Sequence, residues 1–393
     1  MNQKRGYKGD HSGNGRGRRE RGEIAVRIGL IALLAMVCVC TVKELTKDWQ
    51  GSAWQGFYDA VRTGREQAVE VTADGGYIKW VEFHAPCEAM NAAYELDVET
   101  YRDKIQLHWI ELLAYEGTRT GGSFDTNSAR KIRETGEKIK SGETTMEKLT
   151  KDMKYYNYYL EAYTAVLGGM VGEFTLDGKH YYGLKAFSPI AKGFDYSHYD
   201  DFGSSRSYGY SRPHLGHDMM GQIGTPIIAV ESGYVEALGW NQYGGWRIGI
   251  RSFDGKRYYY YAHLRQNYPY AEGLKEGDVV TAGDVIGYMG HTGYSAKENV
   301  NNIKTVHLHW GLQLIFDESQ KEGNNEIWVD CYEITKFLYK NRSEVEKAGE
   351  SREWHRTTQM TDPAAEAWKE QKRKPEAKPQ PNRKEGAAGQ EDQ

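Results

Sequence analysis

Cysteine is scarce in this 393-residue chain: there are four, and none forms a Cys-x-x-Cys pair. That spacing excludes a zinc site built from cysteines and offers no disulfide framework. Cys38 and Cys40 fall in an apolar run and behave there as small hydrophobes. Cys87 and Cys331 lie far apart in sequence and can pair only if the fold brings them together. Charge of one sign is also lacking, since 51 Lys/Arg stand against 55 Asp/Glu, a net −4. So small an imbalance argues for no strongly charged partner, and the basic residues crowd into the chain ends rather than onto an aromatic-bearing face, so no nucleic-acid partner is expected. Long hydrophobic runs are reduced to one, Ile28–Val42, IGLIALLAMVCVCTV.

As a helix that run rises about 22 Å, short of the roughly 30 Å hydrocarbon core. Adding Ile24–Arg27, with Arg27 reaching to the interface, brings it close to spanning length. Residues 1–27 carry eight Lys/Arg against three Asp/Glu among Gly, Asn and Ser, and read as a disordered basic leader. The positive flank predicts a cytoplasmic leader, a single-pass anchor at 28–42 in the cell membrane, and an extracytoplasmic remainder. A cleaved signal segment, giving a secreted chain, is the alternative, although no A-x-A site follows the run.

Beyond a polar linker at 43–75, residues 76–175 read as a mainly helical module, apart from a short alternating strand at Tyr77–Phe83. Ile105, Trp109, Leu112 and Leu113 recur at helical spacing, and a second helical stretch from Thr145 closes at Gly168 and Gly169. Glu111 and Glu116 sit in this module as a solvated helix face. A glycan-cleaving acid there is the other reading, and it requires a pocket that raises a carboxyl pKa. From 188 to 340 the texture changes to short alternating runs, rich in Gly, β-branched and aromatic residues and punctuated by turns. That pattern predicts a compact antiparallel all-β domain, closed by the helical CYEITKFLYKN. Four of the nine prolines fall in the last 31 residues, and 341–393 reads as a disordered tail.

Six of the twelve histidines fall between His214 and His309. In the stretch TVHLHWGLQL an extended backbone turns His307 and His309 to one face and Leu308 to the other. In RPHLGHDMMG the same alternation puts His214, Gly216 and Asp218 together, with Gly216 leaving room, while His217 points away and reads as a decoy. His214, Asp218 and one of His307 and His309 make a two-imidazole, one-carboxylate set that suits one Zn²⁺ per chain with a position left for water. The remaining histidine of that pair, and His263 at the end of YYYYAHL, would flank the water as acid–base groups.

Residues 202–316 resemble the M23 (lysostaphin/LytM-type) zinc metallopeptidase domain. The resemblance rests on five blocks in order: His214-Leu-Gly-His-Asp218, GTPIIAVESGYV, YAHL, GDVIGYMGHTGYS and HLHW. It implies zinc on His214, Asp218 and His309, with His307 and His263 as the catalytic pair. It further implies a metalloendopeptidase that cuts peptide bonds in bacterial cell-wall peptidoglycan with a zinc-activated water. AKENVNNIKTV, inserted between Ser295 and His307, departs from the pattern and is expected to alter access to the cleft. His291 in GHTG reads as a loop histidine. The alternative within the resemblance is a non-catalytic M23-fold scaffold or activator in an envelope assembly. An envelope protein bound through the helical module is a possible partner.

Overall fold

The computed structural model describes residues 83–207, 211–321 and 326–373. Apolar spacing in the first third resolves into helices α1 (Cys87–Glu99), α2 (Trp109–Thr120), α3 (Ser128–Lys140), α4 (Met146–Thr150) and α5 (Tyr156–Leu167). α2 stops at Gly121, whose φ of 62° gives the left-handed C-cap that glycine adopts without strain. Its start is held by Asp97 of α1, a buried carboxylate that accepts the Trp109 amide at 3.0 Å and the Tyr182 hydroxyl at 2.7 Å. The stretch from Thr145, expected as one helix, breaks between α4 and α5. α3 has no counterpart in the sequence reading, because it is charged on most of its circumference and turns only a few residues such as Ile132 and Ile139 inward. Gly136 makes that packing close: a Cβ there would stand 2.6 Å from Leu96 Cδ1.

Glu116 corrects the expectation of a solvated face. It is 1% exposed, ion-paired with Arg119 at 3.1 Å, and accepts the Ser128 hydroxyl at 3.1 Å, joining α2 to the first turn of α3. An acid already held by a cation and a hydroxyl is a structural tie between helices.

The β-rich half forms an eight-stranded antiparallel sheet. Its order is Val279–Val280, Gly233–Asn241, Gly245–Ser252, Arg257–Ala262, His307–Leu314, His217–Met220 and Ser197–His198, with Ile327–Val329 pairing beside Leu312–Leu314. The antiparallel β domain expected over 188–340 is therefore present, closed by α6 (Tyr332–Leu338). The helices are not a separate body beside it. One continuous core runs from Met90, Leu112 and Tyr163 through Phe337 to Ile248, Tyr259 and Trp310. Polar contacts reinforce the join. The Arg257 guanidinium, 2% exposed, donates to Glu231 at 2.8 and 3.0 Å and to the Ala165 carbonyl of α5 at 3.1 Å. Gly169 permits this, since a Cβ there would meet Glu231 Oε1 at 1.6 Å.

The tail from 341 departs from expectation over its first part. Val345–Lys347 and Trp354–Arg356 form a hairpin, Met360–Thr361 extends the sheet of Val171–Leu176 and Lys179–Leu184, and α7 covers Pro363–Arg373. Buried Asp362 pairs with Lys185 at 3.0 Å. Lys- and Glu-rich composition signalled disorder, but alternate side chains of these short strands find apolar cover on the main body, Met360 among them. The leader, the anchor expected at 28–42, the linker, the expected strand Tyr77–Phe83 as far as residue 82, and residues 374–393 lie outside the described residues. Among the described residues no helix is long and apolar enough to cross a membrane.

Candidate metal centre

Register brings the histidines together. In the central sheet His309 pairs with Asp218 and His307 with Met220 across antiparallel strands, so both imidazoles share the face of the Asp218 carboxylate. His214 reaches the same point from the turn after Ser211–Pro213. His214 Nε2, Asp218 Oδ1 and His309 Nδ1 stand 2.9–3.1 Å from one another. Gly216 makes room for this, though for the His309 ring: a Cβ there would stand 2.5 Å from both Cε1 and Nε2 of His309.

The tautomers follow from the outer partners. His214 Nδ1 donates to Asp201 Oδ1 at 3.1 Å, leaving Nε2 bare toward the other two donors. Arg206 contacts Asp201 and reaches Asp218 Oδ2 at 3.3 Å. Burial works to lower the His214 pKa, but the hydrogen bond and charge of Asp218, with Asp201, carry it above its usual value. Burial alone would raise the Asp218 carboxyl, but the close His214 and His309 rings, which favour its charged form, hold it far below the ordinary carboxylate range. His309 is pushed down by burial.

Three donor atoms of a divalent-metal set therefore converge, one from each of His214, Asp218 and His309. They are the one such group among the described residues. Bonds of about 2.0–2.2 Å to a tetrahedral zinc would hold these atoms roughly 3.3 Å apart. The set thus needs an opening of only a few tenths of an ångström to fit the ion. His217 lies on the other side of its strand, as the alternation predicts, and bonds His198 at 2.8 Å between their ring nitrogens.

His307 and His263 flank the centre. His307 Nε2 is 3.7 Å from Asp218 Oδ1, and the His263 ring lies 4.7 Å from that of His307 and 5.8 Å from that of His309. Each donates from Nδ1 to a backbone carbonyl, His307 to Thr305 and His263 to Thr292, both at 2.9 Å. Both therefore keep a bare Nε2 when neutral. His263 holds φ at 60°, fixed by its amide on the Gly244 carbonyl at 2.7 Å and its carbonyl on the Gly290 amide at 3.1 Å. Burial drives its pKa well down. The sequence reading did not name Asp201, Arg206, Thr292 or Thr305. An acid thirteen residues before His214, one of two adjacent aspartates, carries no periodic signal, and a carbonyl carries none at all.

Residues 212–323 match peptidase family M23. The chain carries a peptidase family M23 domain. The L-Ala--D-Glu endopeptidase of Bacillus subtilis (strain 168) is 37% identical over 161 residues, 40% of this chain and 47% of that protein. Lysostaphin of Staphylococcus staphylolyticus is 39% identical over 89 residues, 22% of this chain and 18% of that protein. The chain thus spans less than half the length of either relative. Among solved structures, the lysostaphin catalytic domain of Staphylococcus simulans is 31% identical, with 36% of this chain and 92% of that chain covered at a TM-score of 0.28. The M23 match contains every residue of the centre and its flanking pair, and stops short of Asp201, Arg206 and all of the helices α1–α5.

The insertion after Ser295 is stitched down beside the site. Asn299 accepts from the Trp246 indole at 2.9 Å and the Asn267 amide at 2.9 Å. Gln266 donates to the Asn299 carbonyl at 2.6 Å. His291, expected as an ordinary loop residue, donates from Nδ1 to the Ile303 carbonyl at 2.7 Å and so holds the far end of the insertion.

Proposed function

We propose that this chain is a zinc-dependent endopeptidase that cleaves peptide bonds in bacterial cell-wall peptidoglycan. The observation that carries the reading is the convergence of His214 Nε2, Asp218 Oδ1 and His309 Nδ1 beside two imidazoles whose Nδ1 protons are already fixed. Zinc held by those three residues supplies a Lewis acid that polarises a carbonyl and makes water nucleophilic near neutral pH. Asp201 keeps the His214 tautomer that leaves Nε2 bare. His307 takes up the proton of the attacking water at Nε2, and so becomes a donor that can pass it to the leaving amine. His263, kept neutral by burial, stands beside His307 with a bare Nε2 that can accept a hydrogen bond.

Peptidoglycan as substrate is supported by the M23 match and by the names of the relatives, an L-Ala--D-Glu endopeptidase among them. A wall peptide cut at such a bond presents a free carboxylate next to the scissile amide. The reading keeps the location expected from the sequence, a domain held outside the membrane by 28–42.

The test is digestion of purified peptidoglycan by the full chain, with product masses, before and after a chelator and again after added zinc. New amino termini that vanish with the chelator and return with zinc are expected. Intact wall in the presence of a zinc-loaded chain would overturn the enzyme and leave a scaffold, and cleavage indifferent to the chelator would overturn the metal.

A further inference from the structure

The hairpin Val345–Lys347/Trp354–Arg356, which composition marked as disordered, forms one wall of a cavity of about 310 Å³ against the peptidase sheet. Lys347, Arg352 and Trp354 face Arg265, Gly224 and Thr225 across it. Lys347 and Arg352 are exposed and Arg265 is half-buried, and among the described residues none of these three cations makes an ion pair. Glu353, between Arg352 and Trp354, forms no ion pair with them. It is 4% exposed, and its carboxylate is taken up by the hydroxyls of Tyr268 and Tyr288 and by the Glu272 amide. Three cations with no acidic partner, Arg352 among them lying over the Tyr268 ring at 6.0 Å, surround one hollow and make it positive, a place suited to an anion.

The position says which anion. Arg265 follows His263 by two residues, and its Cα lies 2.5 Å from where a Cβ on Gly290 would be. Gly290 bridges to His307 in turn. The Arg265 wall of the cavity is thus joined through Gly290 to the backbone that carries His263 and His307, on the side where a bound extended peptide would leave that pair. Gly224 keeps the wall open for Arg265: its φ is +87°, and a Cβ there would stand 3.3 Å from the guanidinium.

We propose that Arg265, Lys347 and Arg352 form an anion subsite that binds a free carboxylate of the wall peptide and so helps to seat the substrate in the cleft. The proposal rests on the peptidase reading for the identity of its ligand, but not for the existence of the site. None of its three cations belongs to the metal centre or its flanking pair.

The test uses the full chain and the triple variant R265Q/K347Q/R352Q. Binding is followed by tryptophan fluorescence and calorimetry with a synthetic stem peptide bearing free carboxylates, with its fully amidated counterpart, and with inorganic phosphate as competitor. The acidic peptide is expected to bind, to weaken with salt, and to lose at least roughly tenfold in affinity in the triple variant or on amidation. In wall digestion the same variant raises KM and leaves zinc content and kcat near wild type. Equal binding of the amidated peptide, or an unchanged affinity in the triple variant, overturns the subsite while leaving the peptidase intact. Binding of phosphate without the peptide overturns the carboxylate assignment. Pocket-dependent peptide binding in a chain that digests no wall upholds the subsite and overturns the peptidase.

Discussion

Two clusters of imidazoles sit back to back on the strand His217–Met220. On one side His214 and His309 meet Asp218, with His307 and His263 beside them. On the other, His217 and His198 face each other at 2.8 Å, their rings packed near Tyr332 and Tyr196. The chemistry of the rings is the same, and the difference lies in what surrounds them. The first side holds a carboxylate, a second carboxylate behind it and a glycine that admits the third ring. The second holds aromatic rings. Burial pushes the His217 pKa down to about 3 and lowers that of His198, so neither carries a charge at neutral pH, and one N–H···N bond satisfies the pair. Both clusters are largely buried and both touch tyrosine rings, so the acid separates them: Asp218 bonds two rings of the first.

Four substitutions would break or sharpen that contrast. The largest effect belongs to His307→Ala, which should keep zinc and lose about 10²–10⁴ in kcat, read by wall digestion beside metal analysis. Loss of metal in that variant would move His307 into the ligand set. Asp201→Ala removes the acceptor that fixes the His214 tautomer, and zinc affinity should fall by about 10–100-fold in a chelator competition. An unchanged affinity would make Asp201 a bystander. Gly216→Ala pushes a methyl into the His309 ring and should weaken zinc in the same assay, with the fold otherwise intact by circular dichroism.

The smallest effect on metal, none, is expected for His217→Leu, which instead leaves His198 without its partner and costs about 1–3 kcal/mol of stability. His217 also sets a pH dependence. Its folded pKa of about 3 lies below the ordinary 6.5, so the unfolded chain takes the proton first. Stability from this group is full above 6.5 and falls by about 1.4 kcal/mol per pH unit as pH drops toward the folded value. Denaturant unfolding of His217→Leu between pH 6.5 and 4 should therefore show a shallower acid limb than wild type. Equal slopes would mean that His217 is not held neutral.

The strand alternation put His307 and His309 on one face in advance, and the choice of His309 over His307 as ligand came from the family resemblance. A period of two fixes which side of a strand each of His217, His307 and His309 takes, whatever the loops between them do, while His214 arrives from the turn between two strands. Helices α2 and α5 were readable for the analogous reason, a buried stripe at helical spacing. Asp201 was not, because it reaches His214 through a turn with no repeating pattern. α3 and the hairpin 345–356 were missed because each buries only a few side chains, so composition on their exposed faces outweighs the weak periodicity. The division into helical module and β domain was legible as secondary structure. The shared core and the Glu231–Arg257–Ala165 contact were not, since they depend on which faces meet in space.

Zinc content per chain, measured by elemental analysis on wild type, His309→Ala and His217→Leu purified side by side, tests the central claim most directly. One zinc in wild type and in His217→Leu, with none in His309→Ala, is the predicted result. Zinc retained in His309→Ala, or lost from His217→Leu, would place the metal on the other side of the strand and contradict the account.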